Sequence, residues 1–347
     1  MSLNRRAVLA GAAGAACLCA FKNPDPAAVA VKSRRWIDFH HHILPPFYLE
    51  EAGDVMRAQG GGRILPQAAA WTPEASIRAM DAEGIETSVL SISTPGIWFG
   101  DSARAASLAR RCNEYAADLA RHHPRRFGLF AALPLPNVEA SLREIDHSFG
   151  TLGADGVGLM TSYGDIWPGD PRLAPVLEEL NRRRAIVYLH PTAPGCCRNL
   201  MPGVVPPMLE FVFDTTRAVV SLLLSGSLDR YKNIRFIFSH AGGTLPMLAG
   251  RIEEVARQTR PDVGNVAPGG IRPLLQRLHF DLANSLNPSA WAATRAFMPL
   301  TQLLLGTDFP FQPAGAPAAG FESLRLTKAE QRQIGRVNAL KLLPRLA

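Results

Sequence analysis

The stretch that decides the fold is WIDFHHH at residues 36–42, a run of β-formers that closes on three histidines. Three later stretches are built in the same way: AIVYLHP (185–191), FIFSHAGG (236–243) and LLGTDFPF (304–311). Each reaches His or Asp and then passes into Gly, Pro or small residues. His40 and His42 stand two apart, so the period of a strand places both on one face. Imidazole and carboxylate groups bind zinc-like divalent ions, so the pattern predicts a metal site.

Eight candidate strands alternate with helical segments from residue 36 onward. They are 36–42, 86–93, 126–133, 156–160, 185–190, 234–240, 278–283 and 303–308. Most are nearly continuous apolar runs, which is typical of parallel strands covered on both faces. Helix starts are marked by Thr72-Pro73-Glu74 and by the capping box Thr327–Glu330. Eight such units predict a single (β/α)₈ TIM barrel of the α/β class over residues 31–347.

The chemistry-bearing residues fall at the carboxyl ends of these predicted strands, where TIM barrels place their active sites. They are His40, His42, His190, His240 and Asp308. Any one of these histidines alone could equally be a core side chain with its hydrogen bonds satisfied. Their convergence on one end of the barrel favours a shared site. His41 faces the other way on its strand, so we expect it to pack rather than to bind metal.

The first 30 residues have the composition of a signal peptide. NRRAVLAGAAGAACLCA (4–20) joins a positive start to an apolar run that is too short for a membrane span. Ala28-Val29-Ala30 offers a cleavage site, and Arg5-Arg6 resembles a twin-arginine export signal, although Asn4 departs from that pattern. We expect export to a bacterial periplasm without stable membrane insertion; if the leader does not act as a signal, the protein would be cytoplasmic.

Charge and cysteine content argue against a nucleic-acid-binding protein and against a disulfide-rich fold. The formal net charge of +7 includes +2 from the leader, and the remaining arginines are spread out rather than clustered. No nucleic-acid motif accompanies them, so a nucleic-acid partner is not expected. Beyond the leader the chain has Cys112, Cys196 and Cys197, an odd number that does not form a disulfide framework.

Several motifs, taken together and in order, resemble the decarboxylase branch of the amidohydrolase superfamily. They include DFHHHILPP (38–46), LHPTAPGCCR (189–198), SHAGGTLP (239–246) and GTDFPF (306–311). Members of this branch act on aminocarboxymuconate semialdehyde and 6-methylsalicylate. The resemblance spans residues 36 to about 343. It implies a metal-dependent TIM barrel that binds one Zn²⁺, or another divalent ion such as Mn²⁺, through His40, His42, His190 and Asp308.

In this resemblance His240 is the general acid/base, and Asp308 shares in catalysis. Many members of the superfamily bridge two metals with a carboxylated lysine at the end of strand 4. Here that segment reads GVGLMTSYG (156–164) and has no lysine, which favours a mononuclear site.

The residues that would bind the substrate are predicted less directly. Arg251 resembles a family arginine that reaches the neighbouring subunit's site, which implies a homodimer. Arg217 is a second candidate for a carboxylate clamp, and Trp98 and Tyr163 could form an aromatic wall. Helix-face ion pairs and buried packing are the simpler interpretations of these four residues. The segment 43–70 lacks a well-placed second arginine, which favours a monocarboxylate.

The prediction is therefore a non-oxidative decarboxylase of a salicylate-type aromatic or unsaturated carboxylic acid. The alternative on the same ligands is a hydrolase of a lactone or an amide. A third hypothesis is a periplasmic metal-binding protein without catalytic activity.

Overall fold

The structure is a computed structural model that describes residues 30–31, 33–197 and 200–347. Apart from Ala30, the predicted signal peptide lies outside the described residues. The eight strands are β1 Trp36–His42, β2 Ile85–Ser91, β3 Phe127–Ala132, β4 Gly156–Met160, β5 Ile186–His190, β6 Arg235–Phe238, β7 His279–Asp281 and β8 Leu303–Leu304. They form one sheet in the order β1 to β8, and each strand pairs in parallel with the next.

The sheet closes on itself where the segment after β8 meets β1. The amide of Phe39 donates to the carbonyl of Leu305 at 3.0 Å, and the amide of Asp308 donates to the carbonyl of His40 at 2.8 Å. A third bond of 2.8 Å runs from the amide of His42 to the carbonyl of Phe309. The predicted single (β/α)₈ TIM barrel is therefore confirmed.

Helices connect the strands along the outside of the barrel. Those before β5 are α1 Pro46–Gln59, α2 Pro66–Ala69, α3 Pro73–Glu83, α4 Ser102–His122, α5 Val138–Gly150 and α6 Ala174–Arg182. Those after β5 are α7 Glu210–Leu224, α8 Ser227–Arg230, α9 Leu245–Thr259, α10 Val263–Val266, α11 Ile271–Leu275, α12 Pro288–Phe297, α13 Ala316–Ser323, α14 Lys328–Arg332 and α15 Asn338–Leu342. None of the helices in the described part of the chain combines the length and the apolar character that a membrane span requires.

The predicted helix caps form as expected. The Thr72 side chain accepts a hydrogen bond from the Ala75 amide, and Gly84 ends the same helix in the left-handed conformation. Thr327 and Glu330 exchange both bonds of a capping box. These signals could be predicted because they depend only on residues close in the chain.

The barrel interior is filled by apolar side chains from most of the strands. Phe130 packs between Phe39 and Tyr188 there, tilted against the first ring at 5.9 Å and stacked on the second at 5.4 Å between ring centroids. A bulge in β1 makes this compatible with the histidines, because Asp38 to His41 in β1 oppose only Ser88 to Leu90 in β2. The inserted residue lets Phe39 fill the core while His40 still faces the end of the barrel.

Five of the eight strands end earlier than the sequence predicts, among them the two that precede His240 and Asp308. β6 ends at Phe238 rather than at residue 240, and β8 ends at Leu304 rather than at 308. His240 and Asp308 lie beyond these strand ends and have positive φ angles of 54° and 62°. This conformation is uncommon for residues other than glycine and turns both side chains over the barrel mouth.

Candidate metal centre

Four buried side chains meet at the carboxyl ends of the strands, His40, His42, His190 and Asp308. One ligand atom from each lies within 4.8 Å of every other. The Nε2 atoms of His40 and His42 are 3.0 Å apart, and they lie 3.3 and 3.2 Å from Oδ1 of Asp308. The three imidazoles and one carboxylate form a metal-binding group.

The remaining ring nitrogen of each histidine is held by an acceptor. Nδ1 of His40 lies 3.0 Å from Oδ2 of Asp281, and Nδ1 of His190 lies 2.9 Å from the carbonyl of Pro191. Nδ1 of His42 faces the carbonyl and the hydroxyl of Ser91 at 3.3 and 3.2 Å. A carbonyl or a carboxylate at Nδ1 keeps the proton there, so the lone pair of Nε2 faces the cluster.

Asp281 anchors His40, and it is not among the site residues that the sequence predicts. Its Oδ2 also accepts from the hydroxyl of Tyr188 at 3.1 Å. Its Oδ1 accepts from the amides of Ala283 and His240 at 3.0 and 3.3 Å. The signal that could have identified it is an aspartate ending an otherwise apolar strand, HFD at 279–281.

The electrostatics of the group suit a cation. Burial by itself would lower the pKa of His40, but the carboxylates of Asp281 and Asp308 raise it to about 10. Burial would raise the pKa of Asp308, yet the neighbouring His40, His240 and His42 hold it well below its usual value. Two carboxylates therefore favour positive charge among the imidazoles, and a divalent ion would supply that charge in place of the proton.

His240 and Asn284 stand beside the group at the mouth of the barrel. Nε2 of His240 lies 3.6 Å from Oδ2 of Asp308, and the Asn284 amide donates to that same oxygen at 2.7 Å. Asn284 also lies 3.5 Å from Nε2 of His240 and has a φ of 56°. His240, Asn284 and Asp308, which are neighbours in space, thus all have positive φ angles. Backbone strain of this kind is found most often at functional sites.

His41 points away from this group, as the strand period predicts. Its Nδ1 lies 3.0 Å from Oδ2 of Asp38, and its Nε2 lies 3.1 Å from the hydroxyl of Ser76 on α3. Its ring stacks on Phe309 at 5.0 Å. Asp38 also accepts from the amide and the hydroxyl of Thr307 at 3.0 and 2.6 Å. His41 and Asp38 therefore join β1 to the segment after β8.

A cavity of about 590 Å³ opens over the group. His190, His240, Asn284 and Asp308 lie at its inner end. Two aromatic rings stand beside the ligands there: Phe211 is 6.5 Å from the ring of His190, and Phe311 is 5.6 Å from that of His42. The cavity thus has a polar, metal-binding end between two aromatic walls.

The four predicted substrate residues do not line this cavity within one subunit. Tyr163 is buried and its hydroxyl accepts from the Met160 amide, and Trp98 packs against the core. Arg217 lies 3.6 Å from Glu210 on α7, and Arg251 is exposed on α9. Arg63, which belongs to the segment 43–70 where the sequence predicted no well-placed second arginine, does line the cavity.

Within the described residues, His40, His42, His190 and Asp308 form the one group that could hold a metal ion. Strand β4 carries no lysine that could bridge a second ion. A TIM barrel with a buried His/His/His/Asp group at the carboxyl ends of its strands defines a metal-binding barrel protein. The chain belongs to the amidohydrolase family, which matches residues 37–345. This confirms the family that the sequence motifs indicate.

Three comparisons place the chain within the family. Decarboxylase yanB of Aspergillus niger is 35% identical over 330 residues, which cover 89% of this chain and 87% of that protein. The 6-methylsalicylic acid decarboxylase of Penicillium expansum is 34% identical over 317 residues, which cover 89% and 96%. A crystal structure of an amidohydrolase II superposes with a TM-score of 0.80 at 28% identity and covers 89% of this chain and 99% of that one.

Proposed function

We propose that the protein is a carboxy-lyase that removes CO₂, without oxidation, from an aromatic acid with a hydroxyl beside its carboxylate. The observation that carries this proposal is the position of the metal-binding group, at the inner end of a cavity walled by Phe211 and Phe311. Relatives that align along most of the chain are named decarboxylases, and one acts on 6-methylsalicylic acid by its name. A salicylate-type monocarboxylate matches these walls and the metal-binding end.

The proposed cofactor is one Zn²⁺ per subunit, with Mn²⁺ as the alternative, held by His40, His42, His190 and Asp308. Three neutral imidazoles and one carboxylate are a donor set that suits either ion. When bound, the ion supplies a Lewis-acidic anchor for the carboxylate and its neighbouring hydroxyl. Aromatic side chains at Phe211 and Phe311 would align the ring and keep bulk water from it.

The chemical step needs a proton at the ring carbon that carries the carboxylate. Protonation makes that carbon sp³, and departure of CO₂ returns the bonding electrons to the ring. His240 and Asp308 are the candidate proton donors, since Nε2 of the histidine and Oδ2 of the aspartate lie 3.6 Å apart and both reach the cavity. Asn284 would fix the orientation of Asp308 through its hydrogen bond of 2.7 Å.

The experiment is CO₂ release from salicylates by the zinc-loaded or manganese-loaded protein. His240→Asn is expected to keep the metal content and to lower kcat by at least about a hundredfold, because it removes the proton-transfer group but no proposed ligand. His123→Asn serves as the matched control, since this residue lies at the end of α4, outside the cavity. Full activity of His240→Asn would contradict the assigned role.

The same protein should be tested on lactones and amides. A hydrolase would use the same metal-binding group, so only the products separate the two reactions. Ring opening of a lactone without any CO₂ release would favour the hydrolase. Metal binding without turnover of either class would favour the non-catalytic hypothesis.

The proposed assembly is a homodimer that forms on α9. Met247, Arg251 and Val255 follow one another at helical spacing on this helix, and Met247 is 74% exposed. Exposed apolar side chains such as Met247 and Val255, here on either side of Arg251, are typical of an interaction surface. In such a dimer Arg251 would approach the neighbouring subunit's cavity. Sedimentation equilibrium should show a dimer, and Met247→Glu should shift it towards monomer.

A further inference from the structure

The outer part of the cavity is largely apolar, which a small hydroxybenzoate does not explain. Beyond Phe211 and Phe311 six apolar side chains line it, Met56, Ile64, Leu65, Val205, Met208 and Val212, and Gln59, Arg63, Thr94 and Gln312 add polar groups. Its total volume of about 590 Å³ lies well inside the range of ~300–1,000 Å³ that holds drug-sized ligands. A single substituted ring bound at the metal end leaves much of this space empty.

Two chain segments meet over this outer part and bound it. One follows α1, and the other precedes α7. A Cβ atom on Gly61 would lie 3.1 Å from Cγ1 of Val205, so the segments are already in close contact. The hydroxyl of Thr94 after β2 donates to Oε1 of Gln59 at 2.8 Å, which fixes the end of α1. The apolar space therefore lies between two segments that contact each other, and the end of α1 is held in place by Thr94.

The charges around the cavity indicate what this space would hold. Among the described residues that line the cavity, Asp308 is the one carboxylate and Arg63 is the one guanidinium. Met208 is 62% exposed although it lies at this wall, so apolar surface faces the solvent there. A neutral, apolar ligand group would cover that surface.

We propose that the natural substrate is a hydroxybenzoate that carries an alkyl chain longer than methyl, bound in this apolar outer part of the cavity. The inference rests on the proposed function for the position of the ring. The chain would lie against Ile64 and Leu65 on one wall and against Val205 and Met208 on the other. Each buried methylene adds favourable transfer free energy, so selectivity for long chains follows from the walls.

The test compares salicylates with methyl, propyl and pentyl groups at ring position 5 or 6. In at least one series kcat/KM is expected to rise about fourfold per added methylene until the space is full. A flat or falling dependence in both series would overturn the proposal. A preference for substrates with a second carboxylate on the ring would also overturn the proposal, because it would show that the outer part of the cavity binds a carboxylate through Arg63 rather than an alkyl chain.

A pair of neighbouring variants tests the wall itself. Val205→Trp fills the outer space and is expected to bring the pentyl-to-methyl ratio of kcat/KM close to one. Val204→Trp is the matched control, because Val204 precedes it in the same loop but does not line the cavity. An unchanged ratio in Val205→Trp, with a melting temperature near that of the wild type, would contradict the assignment.

Calorimetric binding of the same compounds separates this proposal from the proposed function. If affinity rises with the length of the alkyl group but no CO₂ is released, the alkyl-binding proposal is supported and the decarboxylase reaction is wrong. If the methyl compound is decarboxylated but neither affinity nor kcat/KM rises with the length of the alkyl group, the decarboxylase reaction is supported and the alkyl-substrate proposal is wrong.

Discussion

At the scale of single residues, the hydrogen bond from Nδ1 of His40 to Asp281 fixes the orientation of the imidazole that would bind a metal ion. Asp281→Asn keeps the size of the side chain but removes its charge and replaces one of its two acceptor oxygens by an NH₂ donor. Metal affinity is expected to fall about 10–100-fold, as it does when partners of metal-ligating histidines are lost. Competition with a chelator measures this change.

The matched control for Asp281→Asn is Asp101→Asn. Asp101 caps α4 from an exposed position, and Asn caps helices equally well. Its metal affinity should equal that of the wild type. Unchanged affinity in Asp281→Asn would show that His40 is oriented without the carboxylate.

The sequence predicted which residues meet in the metal-binding group but not what orients them. His40, His42, His190 and Asp308 could be found because histidine and aspartate at strand ends follow a simple period. The contacts of Asp281 and Asn284 join residues from different strands, and no local pattern contains them. The positive φ angles of His240 and Asp308 could not be predicted either, because only a small fraction of histidines and aspartates adopt them.

At the scale of elements, the turn after β6 depends on glycine. Gly242 has a φ of 75°, and a Cβ atom there would lie 2.6 Å from Cζ of Phe280. Gly242→Ala is expected to lower the free energy of unfolding by about 2–4 kcal/mol, because both backbone strain and a clash with a buried ring result. Urea unfolding checks this value.

Gly250→Ala is the matched control for this turn. Gly250 lies inside α9, and a Cβ atom there meets nothing within 4 Å. The same substitution should stabilise the protein by about 0.5–1 kcal/mol, because alanine favours the helix. Equal effects at both positions would contradict the role of the turn.

The elements were predicted more fully than their ends. All eight strands and the caps at Thr72 and Thr327 follow from apolar runs and short-range capping patterns. The bulge in β1 could not be predicted in this way. It allows Phe39 to pack in the barrel interior while His40 reaches the metal-binding group, and this packing requirement arises only in the closed barrel.

At the scale of the whole molecule, His279 predicts how stability depends on pH. Burial first, and then the nearby Arg235, lower its pKa to about 4. In the unfolded chain its pKa is about 6.5, so acid protonates the unfolded state first. The free energy of unfolding should therefore fall between pH 6.5 and pH 4, by about 3 kcal/mol in total.

Urea unfolding at several pH values measures this loss. His279→Phe removes the titrating group and should flatten the dependence across that window. His122→Phe is the control, because His122 is exposed on α4. A wild-type and a His279→Phe protein with the same slope would exclude His279 as the cause.

Export also concerns the whole molecule, and we propose that residues 1–30 direct it. The mature protein in the periplasmic fraction should begin after Ala30, which intact-mass measurement detects. Replacing both Arg5 and Arg6 by Lys should hold the full chain in the cytoplasm if the twin-arginine route is used. An intact amino terminus on active cytoplasmic protein would contradict the proposal.

The closure of the barrel has a consequence for the time at which the protein can acquire its ion. Asp38 on the first strand and Thr307 after the last are 269 residues apart, and their contact brings Asp308 to His40 and His42. A nascent chain on the ribosome exposes the two histidines long before the aspartate is made. Full coordination therefore waits for the last contact to form, so a tightly held ion reports that synthesis and ring closure are both complete.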